Sequence, residues 1–552
     1  MSPRRQWLVL VGGWVAALAA ETLWLSATRN DVLREQLKSL QFWSLEICLL
    51  AGVIAGTAVV KELAREFRRI DLALMVASAA LGLALTLLVA ERTNRIYYDE
   101  QIYESAGHNL ADLRRAQVCN DGTVEYGRLQ CGYGEYNKQP YAYPHLLSLA
   151  YRVAGVGPSA AFVVNALVMA LTVAAVYVLA VLLFKQRAPA FFAALLVALT
   201  PEQIIWSATA AVEPSAALGM VVALLFAAWA RQSETTASLT AAAAALAYAV
   251  QFRPESVLVG AVSVVLLWRR VRLEWTRQRF WWVALLFFAL VAVHLGHLFA
   301  VRGVEWGTSG ARFSLSYLAG NLRVNGPFFL GDERFPVLFT GLALVGLFGR
   351  GFLIERFAVA LYFVLFWGIC LLFYAGSYNY GADVRYSVLT IAPIAILGGL
   401  GAARIATWIG RRSPVQARLA VSAALLFQFL WYAPLVRATT EEAWAARADV
   451  RFAGGFAAEL PANAYVLTHN PGMFHLWGVN AGQLSAAASN PAYLDHLAGR
   501  FTGGVYVHWN FWCNVHDPIQ PEFCRKVLLL KSFEVAREYH ERDQRFAFYR
   551  LK

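Results

Sequence analysis

Charge is what this sequence has least of. Only 15% of its 552 residues are Asp, Glu, Lys or Arg, where a soluble protein carries roughly a quarter. So little charge cannot clothe the several soluble domains that a chain of this length would otherwise form. Acids are the scarcer sign: 36 Asp and Glu stand against 48 Lys and Arg, a net charge of +12. In a soluble protein that balance would raise nucleic acid as a partner. Here the cations lie between long apolar runs, where they act as topology signals and contacts for anionic lipid, so no nucleic-acid partner is expected. No internal repeat is visible, and the outer-boundary placement of the acids described below differs from the midplane sites of transporters. His469, His475, His508 and His516 follow no standard zinc spacing, and no metal site is assigned.

What is present is apolar length. The chain is 59% hydrophobic, and apolar runs return every ~20–40 residues up to about residue 436. Thirteen transmembrane helices are predicted, over 7–27, 42–60, 71–90, 158–184, 188–206, 214–230, 236–252, 255–268, 280–300, 335–349, 357–375, 386–403 and 418–436. The first could be read as a signal peptide, with Ala17-Leu18-Ala19 as a cleavage site, but it is long enough to cross and is taken as an uncleaved span. Short cation-rich connections fix the orientation: Arg4/Arg5, Lys61/Arg65/Arg68/Arg69, Lys185/Arg187, Arg269 to Arg279, Arg350/Arg356 and Arg404/Arg411/Arg412/Arg418. They place the N-terminus in the cytoplasm of a multi-pass inner (plasma) membrane protein.

Three segments then face outward: about 91–157, about 301–334, and a tail from about 437. Two domains are expected. Residues 1–436, with the outer loop 91–157, form the membrane domain, and 437–552 form an extracytoplasmic α/β domain. Strands are predicted at Ala464 to Thr468, Gly504 to His508 and Arg545 to Leu551, from their alternating apolar pattern. The cysteines agree with this topology. Cys48 and Cys370 fall within spans, whereas Cys119 and Cys131 share the first outer loop and Cys513 and Cys524 share the tail. Two close pairs on the outer face predict the disulfides Cys119–Cys131 and Cys513–Cys524.

The chemistry-bearing residues sit at the outer boundary. Asp99-Glu100 begins the first outer loop, and alone the pair reads as a helix cap by Asp99 with a favourable acid in the first turn. The loop ends in Lys138-Gln139-Pro140, ahead of an amphipathic stretch, Leu146 to Val153, too short to span. Lys138 at headgroup level can hold a lipid phosphate or snorkel as an interfacial cation. Glu213-Pro214 opens a later helix, Arg253-Pro254-Glu255 marks a tight outer turn, and Tyr378 to Tyr386 includes Asp383 and Arg385. Ionisable groups at such depths are costly and mark function.

In order and in shared face, these motifs resemble the GT-C superfamily of membrane glycosyltransferases, in the branch of the protein O-mannosyltransferases and the lipid A aminoarabinose transferase. The matching positions are Asp99-Glu100, Lys138-Gln139-Pro140, Glu213 and Arg385-Tyr386, and the resemblance runs from about Leu72 to the end. Gln139 departs from the family's Lys-Pro-Pro motif, and two spans precede the usual first one. The resemblance implies a polyprenyl-phosphate-linked sugar as donor, a lipid, glycan or protein hydroxyl as acceptor, and direct inverting transfer. It implies Asp99 as the base, Glu100 and Glu213 as helpers, and Lys138 and Arg385, with Tyr386, at the donor phosphate. No cofactor is expected, although these acids are also the groups that could hold a divalent Mg or Mn ion. The alternative reading is a transporter or a flippase for lipid-linked glycans.

Overall fold

The computed structural model of the chain describes every residue except 1–2, 305–307, 309, 332–333, 380–382, 411–412, 439–443 and 518, and it leaves the side chains of residues 3–4, 97, 383 and 438 undescribed. Of the residues singled out above, Tyr380, Gly381, Ala382, Arg411 and Arg412 lie outside the described set, as do the side chains of Arg4 and Asp383.

Apolar runs become helices because hydrocarbon leaves backbone N–H and C=O groups no other partner. The first are α1 (Pro3–Ala27), α2 (Asn30–Ala64) and α3 (Arg69–Leu88), then α4 (Tyr97–Leu113) and α5 (Ala142–Ala154) from the first large loop. Next come α6 (Ala160–Phe184), α7 (Arg187–Leu199), α8 (Pro201–Ser207), α9 (Glu213–Gln232), α10 (Thr236–Ala249), α11 (Val259–Glu274) and α12 (Gln278–Val301). After α13 (Leu318–Leu330) follow α14 (Val337–Phe348), α15 (Leu353–Leu372), α16 (Val388–Ile409) and α17 (Pro414–Ala438). The chain ends in a sheet segment that begins with α18 (Trp444–Ala457) and includes α19 (Pro471–Leu476).

All thirteen predicted spans fall on helices, but their lengths divide them. Among the described residues nine helices are long and apolar enough to cross a membrane, or ten if α7 and α8, bent by 60° at their junction, form one broken span. The 14 residues of α10 and 12 of α14 rise only ~21 and ~18 Å, short of a hydrocarbon core of ~30 Å. Apolar runs of similar hydropathy do not mark where each helix stops. In the other direction, the 35 residues of α2 extend ~50 Å. Its first turns pack on α12, with Arg34 donating to the Ala300 carbonyl at 3.1 Å, and also reach the loop: Lys38 donates to the Gly134 carbonyl at 2.8 Å, and Arg115 pairs with Glu35.

Near the centre lies α16, buried along most of its length. Its glycines permit this. A Cβ on Gly399 would meet the Pro189 carbonyl at 2.4 Å and the Ala193 amide at 2.5 Å, so α7 can approach only a glycine there. The segment that carries Arg385 and Tyr386 leads directly into the N-terminal end of α16.

The sheet has seven strands: β1 (Val118–Glu125), β2 (Arg128–Glu135), β3 (Tyr465–Thr468), β4 (Asn480–Gln483), β5 (Val505–Trp509), β6 (Phe533–Glu541) and β7 (Gln544–Leu551), in the order β2-β1-β4-β3-β5-β7-β6. The three predicted tail strands are β3, β5 and β7. The β1–β2 hairpin belongs to the first loop yet extends the tail's sheet, with Gly122 opposite Ala481. Alternation divides the core in two: Leu467, Val505 and Val507 face one layer, and Val466 and Tyr506 the other. Both predicted disulfides are present, with Cα–Cα distances of 5.7 Å for Cys119–Cys131 and 5.9 Å for Cys513–Cys524; Cys48 and Cys370 are buried.

Candidate active site

The first turn of α4 separates the two acids that adjoin in sequence. Successive helical side chains point about 100° apart. Glu100 turns back, and its two carboxylate oxygens accept the Arg95 amide at 3.2 and 3.1 Å. This contact ties Glu100 to the turn before α4, and no side chain caps the helix at Ile96, so the cap expected of Asp99 is not made.

Asp99 points elsewhere. Its Oδ2 accepts from Arg385 Nη2 at 2.9 Å, and Arg385 Nε lies 3.1 Å from Glu213 Oε1. Glu213 also accepts from Arg253, which is shared with Glu255. Both guanidinium groups stack on the Tyr386 ring, Arg253 at 4.9 Å and Arg385 at 5.2 Å from its centre; aromatic faces favour such cations. Asp99, Glu213, Arg385 and Tyr386, predicted from three distant stretches, thus form one cluster. The Asp99 side chain is 27% exposed and that of Glu213 only 1%, so Asp99 is the acid a substrate can reach.

The surrounding elements hold this geometry. Arg385 lies in the single turn Asp383–Ser387 that leads into α16. Glu213 opens α9 with Pro214 behind it, a position where proline loses no helical hydrogen bond. The approach to Glu213 is pinned by Asn165 of α6, which donates to the Thr209 and Ala211 carbonyls, both at 2.8 Å. Lys138 reaches the same neighbourhood: the Ala142 amide donates to the Gln251 carbonyl at 3.1 Å, attaching its segment to the turn that bears Arg253. Burial pushes the Lys138 ammonium below its ordinary value, with Asp99 opposing that shift and Arg312 adding to it.

Arg253 was noted in the sequence only as marking a turn. Its signal was available, because an arginine in a turn expected on the outer face runs against the charge rule and so calls for a specific partner.

The remaining face of α4 carries Glu100 and Glu104, both buried. Burial pushes each carboxyl up to about 8, and for Glu104 the charge of Glu100 adds to the effect. The neutral forms therefore favour the fold. Their contribution is complete below the ordinary value of 4.5 and is lost as pH rises toward about 8. Glu104→Gln, a permanently neutral mimic, is expected to melt several degrees above wild type at pH 8.5 and level with it near pH 5, measured by thermal unfolding in detergent. A variant melting lower at pH 8.5 would contradict this assignment.

The donor set does not fit a divalent cation. Arg385 already bridges Asp99 and Glu213, so a metal would have to displace a guanidinium from both. Elsewhere among the described residues, His469 lies beside Cys513 and Cys524, but those sulfurs are spent in a disulfide.

The dolichyl-phosphate-mannose-protein mannosyltransferase family matches residues 138–297, which include Lys138, Glu213 and Arg253. Among solved structures, ArnT from Cupriavidus metallidurans bound to undecaprenyl phosphate superposes with a TM-score of 0.53 at 14% identity, over 87% of this chain and 97% of that one. Its apo form gives 0.52 at 15% identity, with the same coverage. At that identity the likeness is one of fold, and it extends over most of both chains. The oligosaccharyltransferase of Archaeoglobus fulgidus is a weaker likeness, at a TM-score of 0.45 and 13% identity over 79% of this chain and 69% of that one. A search of curated protein sequences finds no match. The chain is a multi-pass membrane protein, with nine or ten long apolar helices among its described residues and shorter apolar ones between them.

Proposed function

We propose that the chain transfers a sugar from a polyprenyl-phosphate-linked donor to an acceptor hydroxyl, with inversion, on the extracytoplasmic face. The observation that carries the reading is the Arg385 bridge between Asp99 and Glu213, with Lys138 in the same neighbourhood. Such a centre pairs a reachable carboxylate with cations suited to a leaving phosphate. The solved ArnT with undecaprenyl phosphate, alike in fold, adds weight to a lipid phosphate as the carrier.

In the proposed step Asp99 takes the proton of the acceptor hydroxyl as its oxygen attacks the anomeric carbon. The bond from that carbon to the phosphate oxygen breaks, and its electron pair leaves with the lipid phosphate. Arg385 and Lys138 stabilise that charge. A guanidinium has five N–H donors, so Arg385 can engage phosphate while remaining near its carboxylates. Glu213 and Tyr386 position Arg385. Glu100, held on the Arg95 amide, has no part in the step. The acceptor is a lipid, glycan or protein hydroxyl.

The N-terminus then lies in the cytoplasm. Residues 1–436, with loop 91–157, form the catalytic membrane domain, and 437–552 an extracytoplasmic domain that shares its sheet with the loop's hairpin.

Lys138→Met is expected to raise the KM for undecaprenyl-phosphate sugar ~10-fold, the ~1.4 kcal/mol of one charge-assisted contact, with a smaller change in kcat. An unchanged KM would remove Lys138 from the phosphate site. Since guanidinium groups already balance the acids, transfer is expected to persist in excess EDTA. Activity lost to EDTA and restored by Mg or Mn would contradict that balance.

A further inference from the structure

A cavity of about 460 Å³ lies between α18, α19 and the second face of α4. It borders Gln101 and Glu104, so the body of α4 separates it from Asp99 and Arg385.

Its lining is chemically specific. Two indoles, Trp444 and Trp477, border it, and between them the backbone of α18 is open at Gly454 and Gly455. A Cβ on Gly455 would meet nothing within 4 Å, and one on Gly454 would lie 3.5 Å from Trp477, so glycine keeps room beside that ring. Four arginines line the cavity, at 92, 447, 451 and 542, against Glu91, Glu104 and Glu541. Burial keeps Glu104 largely neutral below about pH 8, so the lining is positive. Gln101 is the deepest clue. It is only 5% exposed and its amide nitrogen donates to the Met473 sulfur at 3.2 Å, but its Oε1 has no hydrogen-bond partner. A buried amide oxygen without a donor is costly, which suits a ligand hydroxyl at that spot.

We propose that this cavity binds an acidic saccharide, with sugar faces on Trp444 and Trp477, hydroxyls on Gln101 and Glu104, and a carboxylate or phosphate on the arginines. Flat apolar sugar faces pack on indoles as other apolar surfaces do, and guanidinium groups match carboxylate and phosphate in geometry. Identifying the ligand as the unreacting part of the acceptor rests on the proposed transfer, but the binding itself does not.

The test is calorimetric titration of the full chain in nanodiscs with trigalacturonic acid and, as a neutral control, maltotriose. Trigalacturonate should bind at least about tenfold more tightly than maltotriose. Trp444→Ala and Gln101→Leu should each weaken its binding about tenfold or more. Arg451→Gln, at a largely exposed side chain where misfolding is no concern, should weaken it to a smaller extent. Asp99→Asn, expected to stop transfer, should bind it as wild type does, which separates this inference from the proposed chemistry. Nanodiscs doped with glucuronosyl diacylglycerol distinguish the source: competition with trigalacturonate assigns a lipid headgroup, and its absence a soluble glycan, each with the same chemistry. No binding at millimolar trigalacturonate, equal binding of maltotriose, or wild-type affinity in all three cavity variants would overturn the proposal.

Discussion

Asp99→Asn is expected to lower kcat by ~10²–10⁴-fold, the range that a positioned general base supplies, while leaving the protein folded. Asparagine has nearly the shape of aspartate and can still accept a hydrogen bond from Arg385, but it cannot take a proton. The Asp99 side chain is partly exposed, so losing its charge removes little stability, and Glu213 continues to hold Arg385. The informative combination is a thermal midpoint within a few degrees of wild type, a KM for donor little changed, and turnover near background. Glu100→Gln is the matched control. Because Glu100 already favours its neutral form, that variant should keep most activity. If instead it were the inactive one, the roles of the two acids would have to be exchanged.

Arg385 should give the second large effect, and two substitutions separate its two contributions. Arg385→Gln leaves Asp99 and the buried Glu213 short of a counter-charge, and removing one partner of a buried pair costs ~3–5 kcal/mol. Arg253 still reaches Glu213 and moderates that loss. Arg385→Lys keeps the charge but gives up the fork that touches Asp99 through Nη2 and Glu213 through Nε. It should fold nearly as well as wild type and yet lose ~10²–10³-fold in kcat/KM, as when one fixed stabiliser of developing charge is removed. The check is kcat/KM measured beside thermal unfolding for both variants. A lysine variant with wild-type turnover would show that Arg385 serves the fold alone.

The membrane bundle was legible because hydrocarbon allows an apolar run few alternatives to a helix. Its helix lengths were less so: α14 and α15 read alike in the sequence, but only α15 is long enough to cross. In the tail, β3, β5 and β7 announced themselves by alternation. β6 did not, because Phe533–Glu541 is exposed on nearly every residue and has no apolar face to betray it. The joining of β1 to β4 was beyond reach, since it depends on a pairing some 360 residues away, Gly122 with Ala481. At the site, Asp99, Glu213 and Arg385 were found as short motifs in order along the chain. What the motifs could not convey was direction. Asp99 and Glu100 are neighbours in sequence, and only the start of α4 decides that one faces Arg385 and the other the Arg95 amide. Arg253 was passed over because a turn between two short helices explained it well enough.

In the proposed reaction Asp99 and its cation cluster carry out one direct displacement at a lipid-phosphate-linked sugar. The most direct test reconstitutes the protein in proteoliposomes with a ¹³C-labelled undecaprenyl-phosphate sugar of known anomeric configuration, using envelope fractions as the acceptor. NMR then reads the anomeric configuration of the product and the undecaprenyl phosphate released. A single displacement predicts complete inversion, one undecaprenyl phosphate for each sugar transferred, and no product from Asp99→Asn. Retention of configuration, or transfer by Asp99→Asn at the wild-type rate, would contradict the claim.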